Sequence, residues 1–407
     1  MTCSSRQPRL ERLLFHANSA FLFWAFAFIV SGPNYSSALG ALLLGALLTL
    51  PMALPMWQRL DRGSRFWLLA LLTFGLVEVG MALVHYQELS DLERPLKYVG
   101  AALVFLYLVR FGFSRVVTIL GIACGVALGL IHGVHDLIAN GLPRASAGHN
   151  PLTYGYLMVT LGLLLLFFAS HEKRSAWRWP LALLGTLGCL GSLLSGSKGV
   201  LLVILLAALI GGLLWVRRPI RRKSLLSVRA GLILLILTLI GVAWITVTPV
   251  GDRMGAEWRA LSNDEISFSS SMRLALWHTG LHLGTTHPLT GAGTHKEQLA
   301  DEAREFIEAQ GYPERMLDTY SHFHNEYIDA LAKKGLPGLL ALIALGIGLI
   351  WGSSPGIRTG LILFVAVYAV GGLTQSLLAH GHGMGMLLIG ALLLRTLSFE
   401  EISRDAR

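Results

Sequence analysis

Residues 322–350 read HFHNEYIDALAKKGLPGLLALIALGIGLI, and this stretch decides how the rest of the chain is read. Its first half is polar and reads as a helix from His324 to Lys334, with Asp329 and Lys333 paired at i,i+4. Lys333 and Lys334 fill the last turn, Gly335 is expected at the C′ position, and Pro337 restarts the chain. Those are stop signals for a helix. An apolar run begins at once near Leu336. His324 is thereby expected at a membrane surface, where an ionisable group is a functional candidate by default.

Working outward, the 407 residues are 54% hydrophobic and 14% charged, and the mean hydropathy is positive. A soluble chain would carry roughly a quarter charged residues. The apolar residues fall in about twelve continuous runs, near 13–31, 36–57, 66–86, 95–112, 115–133, 151–170, 178–194, 199–216, 230–248, 336–352, 358–376 and 381–397. Each has the length that spans a bilayer as a helix. Continuous rather than alternating runs exclude a barrel. The expected fold is an all-α polytopic membrane protein with about twelve transmembrane helices. The first run follows Arg6, Arg9 and Arg12 without a small-residue cleavage site, so it reads as an uncleaved span. Of the three cysteines, Cys3 lies near the N-terminus and Cys124 and Cys189 lie inside apolar runs, so no disulfide is expected.

The net charge of +9 would suit nucleic acid, but its distribution argues otherwise. With the N-terminus inside, about 21 of the 33 Lys and Arg fall on the inner side, against about 6 of the 24 acidic residues. That asymmetry fixes orientation. It places both termini in the cytoplasm and divides the chain into residues 1–248 with nine spans, a large outer loop over 249–335, and residues 336–407 with three spans and a short tail. Loops this long are functional or disordered. Within this one, Leu299, Ala303, Phe306, Ile307 and Gln310 share one side of a helical wheel, the mark of an amphipathic helix that packs on the bundle or meets substrate.

Most of the unusual polar residues collect on the expected outer face. Lys198 sits in the short turn Ser195-Gly196-Ser197-Lys198-Gly199, either as an anion binder or as a snorkelling lysine. Ser195-x-x-Lys198 also matches a penicillin-binding nucleophile motif, but no Ser-Asp-Asn or Lys-Thr-Gly partner exists. Arg273, in Ser-Met-Arg-Leu-Ala-Leu-Trp277, offers a planar fork suited to phosphate, as do Arg94 and Arg144 on the same face. The pairs His322/His324 and His380/His382 invite a metal, yet no carboxylate cluster completes a hard-cation site. Fixed cations could instead stabilise a departing diphosphate. Glu78 lies inside the third span, as a functional or a hydrogen-bonded structural carboxylate.

His324-Asn325, nine residues, then Gly335-x-x-Gly338 resembles the His-[Asn/Ser/Gln]-x9-Gly-x-x-[Gly/Thr/Tyr] signature of bacterial O-antigen ligases. Arg273 with Trp277, Pro288…Gly291-Ala292-Gly293 and the turn at 195–199 support the resemblance. The family often has Arg where this chain has Lys198; the charge survives but a bidentate contact does not. The wider family includes O-antigen polymerases and protein O-oligosaccharyltransferases. The resemblance implies a class C glycosyltransferase-like fold in the Gram-negative inner membrane, with a periplasmic active site. It implies transfer of O-polysaccharide from undecaprenyl diphosphate to a sugar hydroxyl of lipid A–core, by one inverting displacement that needs no metal or other cofactor. His324 would be the general base, and Asn325 would orient either His324 or a substrate hydroxyl. Lys198, Arg273, Arg94 and Arg144 would hold the diphosphate, and His322, Gly335, Gly338 and Glu78 would support the site. His324 as a diphosphate ligand is the alternative role. An O-antigen polymerase is the nearest rival function, and a transporter or flippase without covalent chemistry is the rival of another class.

Overall fold

A computed structural model describes residues 8–32, 34–216, 268–312 and 322–406, and these residues are mostly helical, without a strand among them. The helices are α1 Arg9–Phe28, α2 Tyr35–Leu48, α3 Leu50–Ala53, α4 Met56–Arg59, α5 Arg62–Val84, α6 Glu93–Phe111, α7 Arg115–Ile138, α8 Pro151–His171, α9 Ser175–Ser192, α10 Lys198–Val216, α11 Phe268–Thr286, α12 Lys296–Ala309, α13 Glu326–Ile350, α14 Pro355–Gly371 and α15 Gly381–Asp405. Helices occupy all of the expected runs except 230–248, which lies outside the described residues. Among the described residues, α5, α7, α8, α13 and α15 are long and apolar enough to cross a membrane, and a sixth span results if the bent pair after Tyr35 counts as one.

That bent pair departs from expectation. The run 36–57 was expected as one span, but the chain turns by 78° between α2 and Leu50–Arg59. Pro51 enters the first turn of α3 and Pro55 caps α4. Proline lacks the N–H that would continue the preceding helix, and its ring clashes with the turn before it.

The chain forms two compact units. The first comprises residues 1–39, 113–265 and 362–371. In it α8 lies along α9, and α1 along α7. Small residues let these backbones approach. A Cβ on Gly162 would stand 2.7 Å from the Gly185 carbonyl oxygen, and one on Gly121 would stand 2.6 Å from the Phe23 Cα. Helix α8 is buried nearly all round, as expected of an apolar helix without a polar face.

The second unit comprises residues 40–112, 266–361 and 372–407. Here α13 packs on α5 and α11, α5 on α6, and α15 on α6. Arg395 of α15 is fully buried. It donates to the carbonyl oxygens of Leu349 and Trp351, at 3.4 and 3.1 Å, where α13 ends with unsatisfied carbonyls. The amphipathic helix expected near residue 300 is α12. Leu299, Ala303 and Ile307 are buried against Ala275, Leu276, Leu283 and Phe323. Gln310 was expected on the same face but is exposed, because the helix ends at Ala309 and the wheel no longer applies.

Candidate functional site

Asn325 begins the site. It is the N-cap of α13, and its Oδ1 accepts the N–H groups of Tyr327 and Ile328 at 3.0 and 3.2 Å. Those donors have no partner inside the helix, which is why Asn is favoured there. The Asn325 Nδ2 donates to the Leu373 carbonyl at 3.3 Å. The helix therefore starts at Glu326, two residues later than the sequence suggests, and His324 precedes it with φ at +51°. A left-handed conformation is uncommon for histidine and costs free energy that its surroundings must offset.

At the other end the backbone leaves the helix at Gly335, with φ 63° and ψ −165°. Only glycine adopts that region readily. The segment before α12 packs on the break. Leu336 N–H donates to the Pro288 carbonyl at 2.7 Å, and the Ala292 and Gly293 N–H groups donate to the carbonyls of Ala332 and Lys333 at 2.8 and 3.3 Å. A Cβ on Gly335 would stand 2.5 Å from the Pro288 oxygen, and one on Gly291 would meet the Lys333 carbonyl group. Gly335 and the Pro288–Gly293 segment are thus two halves of one contact. Gly338 lies against the Lys334 Cβ. The expected Asp329–Lys333 pair is present at 3.0 Å with both side chains buried, and the Asp329 carboxylate also accepts the Phe323 N–H at 3.0 Å. Glu78 is engaged as well: Lys334 Nζ donates to its carboxylate at 2.6 Å.

His324 Nδ1 lies 2.6 Å from Gln375 Oε1. An amide oxygen only accepts, so Nδ1 carries the hydrogen and the imidazole lone pair is on Nε2. The Gln375 Nε2 lies 2.7 Å from His380 Nε2. An amide nitrogen only donates, so His380 accepts there and is protonated at Nδ1. Gln375 itself is fully buried. The His322 ring meets the His324 ring edge-on at 4.5 Å and the His380 ring at 5.2 Å.

All three imidazoles are held below the usual histidine range. For His324 the main cause is burial. The Gln375 hydrogen bond opposes it, Arg273 lowers the pKa further, and Asp329 raises it. His322 is pushed down to about 3, by burial and then by His324. Burial, His324 and Arg94 act on His380. The cluster is therefore neutral near pH 7.

A cavity of about 630 Å³ adjoins the His322 and His380 rings. It is lined by His322, His380, Arg94, Glu326, Lys333 and Lys334 among others. Its polar wall mixes cations and carboxylates. Among the described residues no group of three His, Cys, Asp or Glu side chains is arranged to hold a metal ion.

Of the residues singled out from the sequence, His324, Asn325, His322, Arg273, Arg94, Glu78, Gly335 and Gly338 belong to the second unit. Lys198 and Arg144 belong to the first. There Arg144 Nε donates to the Ser195 carbonyl at 2.6 Å, and Gly196 turns the chain with φ at +58°. Arg144 thus braces the turn that presents Lys198, the exposed first residue of α10.

In the sequence His380 stands out only as half of the His380/His382 pair, and neither Gln375 nor Glu326 carries a motif. Glu326 Oε2 accepts the Leu378 N–H at 2.8 Å, and its own N–H donates to the Gly372 carbonyl at 2.7 Å. A glutamine at the end of an apolar run was the available signal.

Residues 181–343 match a family model described as O-antigen ligase. The match contains Lys198, Arg273, His324, Asn325, Gly335 and Gly338. No curated protein matches the chain at a significant level.

Proposed function

From the premise that residues 181–343 are an O-antigen ligase family domain, we propose that the protein is an O-antigen ligase of the inner membrane. It takes O-polysaccharide from undecaprenyl diphosphate and transfers it to a sugar hydroxyl of lipid A–core, on the periplasmic side. The observation that carries this reading is His324, whose Nδ1 meets the Gln375 amide oxygen at 2.6 Å.

In this mechanism Nε2 removes the proton of the acceptor hydroxyl. That oxygen forms a bond to the anomeric carbon as the bond from that carbon to the diphosphate oxygen breaks, and undecaprenyl diphosphate leaves with the electron pair. A single displacement inverts the anomeric centre. A neutral imidazole is the form a base requires, and burial together with Arg273 favours it. Arg273 and Arg94 would face the diphosphate, and we assign Lys198 to the same substrate on its motif and its exposure. Arg144 would serve by bracing the Lys198 turn. The leaving charge is met by fixed cations in this scheme, so no metal is required.

The test is transfer by purified protein from undecaprenyl-diphosphate glycan to lipid A–core, with His324→Ala, Arg273→Ala and EDTA alongside. Glycosylated lipid A–core that survives EDTA and disappears in both folded variants is the expected result. Extension of the donor glycan without lipid A–core product would make the protein a polymerase. No product of either kind from a competent donor would favour transport.

A further inference from the structure

We infer that Gln375 is the positioning residue of the transfer reaction, fixing His324 in the Nδ1–H tautomer, with His380 as the acceptor at the other end of the amide. The inference rests on the reading of His324 as base.

A glutamine amide presents an acceptor at one end and a donor at the other, and nothing in its shape decides between the two orientations. If it faced His324 with its NH2 group, the imidazole would have to accept at Nδ1 and carry its hydrogen on Nε2. That tautomer has no lone pair where a substrate hydroxyl would meet it. In the productive orientation the NH2 end lies 2.7 Å from His380 Nε2, which accepts from it. The amide is fully buried, so water cannot substitute for either partner.

Gln375 is also held at the backbone level. Asn325 Nδ2 binds the Leu373 carbonyl, and Glu326 binds Gly372 and Leu378, so the residues flanking Gln375 on both sides are tied to those directly after His324. His322 closes the cluster by contacting both other rings, and its Nε2 is buried without a hydrogen-bond partner among the described residues. Among the described residues, the ionisable groups acting on His324 include Arg273 on α11 and Asp329 on α13, with the His322 and His380 rings beside them. Gln375 holds the ring without adding a charge. A carboxylate at this position would hold it equally well but would raise its pKa.

The experiment uses the full-length protein with undecaprenyl-diphosphate glycan and lipid A–core, and compares wild type, Gln375→Met, Gln375→Glu and His324→Ala. Gln375→Met is expected to lower kcat by about 10–100-fold with KM little changed, the range typical for a group that orients a reacting imidazole. Gln375→Glu is expected to retain more activity than Gln375→Met, with the acid limb of its kcat profile moved to higher pH by about one unit. Ring 15N spectra of wild type should show His324 protonated at Nδ1, and Gln375→Met should lose that preference. An active Gln375→Met with an unchanged profile overturns the inference, as does an Nε2–H tautomer in wild type. If Gln375→Met does not accumulate as folded protein, an unshifted acid limb in Gln375→Glu overturns it alone. Full activity in His324→Ala would instead remove the base on which the inference stands. Loss in His324→Ala with no loss in Gln375→Met removes only the positioning role.

Discussion

The carboxylate of Glu326 accepts the backbone N–H of Leu378 at 2.8 Å, so the first residue of α13 holds the 3-10 turn that precedes α15. Gln375 and His380 lie on either side of the held residue. This tie therefore anchors the segment that carries both of them. Glu326→Ala should loosen it and reduce kcat by about 10-fold, as losses of supporting contacts do. Glu326→Gln keeps an oxygen acceptor and should stay near wild type. Steady-state rates of the two variants at matched expression decide the matter, and equal rates would show that Leu378 needs no such tie.

Burial and Arg273 hold the His324 pKa below its ordinary 6.5. A base works in its unprotonated form, present above the pKa and lost as pH falls through it. The wild-type rate should therefore rise with pH along a limb centred below about 6.5 and be flat near pH 7. Arg273→Gln removes one lowering influence, so the His324 ring of that variant, followed by 15N spectra, should titrate at higher pH than in wild type. A wild-type limb centred above 7 would assign the base to another group.

Glu78 and Lys334 form a largely buried ion pair, with side chains 9% and 19% exposed. Removing one partner leaves an uncompensated charge, which for buried pairs costs about 3–5 kcal/mol. Glu78→Gln should lower the thermal unfolding midpoint, by an amount at the lower end of that range because Lys334 retains some exposure. Replacing both, as Glu78→Leu with Lys334→Met, should recover most of the loss. If the doubly substituted protein regains stability but not transfer, Glu78 or Lys334 has a role in the reaction as well.

Gly335→Ala places a Cβ against the Pro288 carbonyl in a backbone region that costs other residues about 1–3 kcal/mol. Gly291→Ala meets the Lys333 carbonyl group across the same contact. Each should destabilise the protein. Because they disrupt one interface, the pair should cost less than the two singles added together. Strict additivity in unfolding measurements would show two separate contacts.

Much of the fold is legible in the sequence because its signals are local. The apolar runs, the stop at Gly335, the Asp329–Lys333 pair and the buried face of Leu299, Ala303 and Ile307 are each set by spacing within a few turns of helix. The two sharp departures are local as well, but they need a direction that hydropathy lacks: Pro51 and Pro55 break a run that hydropathy alone reads as one span, and the capping geometry of Asn325 moves His324 out of the helix. The site was half legible. His324, Asn325 and Gly335 carry a motif. The groups that act on them lie far along the chain: Gln375 is 51 residues from His324, and Glu78 is 256 residues from Lys334. A side chain whose partner is that distant leaves no periodic trace. Arg144 was legible as a cation suited to phosphate, and its hydrogen bond to the Ser195 carbonyl, 51 residues away, left no sign in the sequence.

The nine residues between Asn325 and Gly335 are clamped at both ends, by the N-cap with its tie to Leu373 at one and by the Pro288 segment at the other. Such a segment is a measuring rod. Its two and a half turns set how far, and at what angle, the imidazole stands from the break in the backbone. One inserted or deleted residue would move one end by about 1.5 Å and rotate it by about 100° relative to the other. Neither clamp can follow that rotation while keeping its hydrogen bonds. The length of this segment should therefore resist change even where its exposed side chains accept substitution.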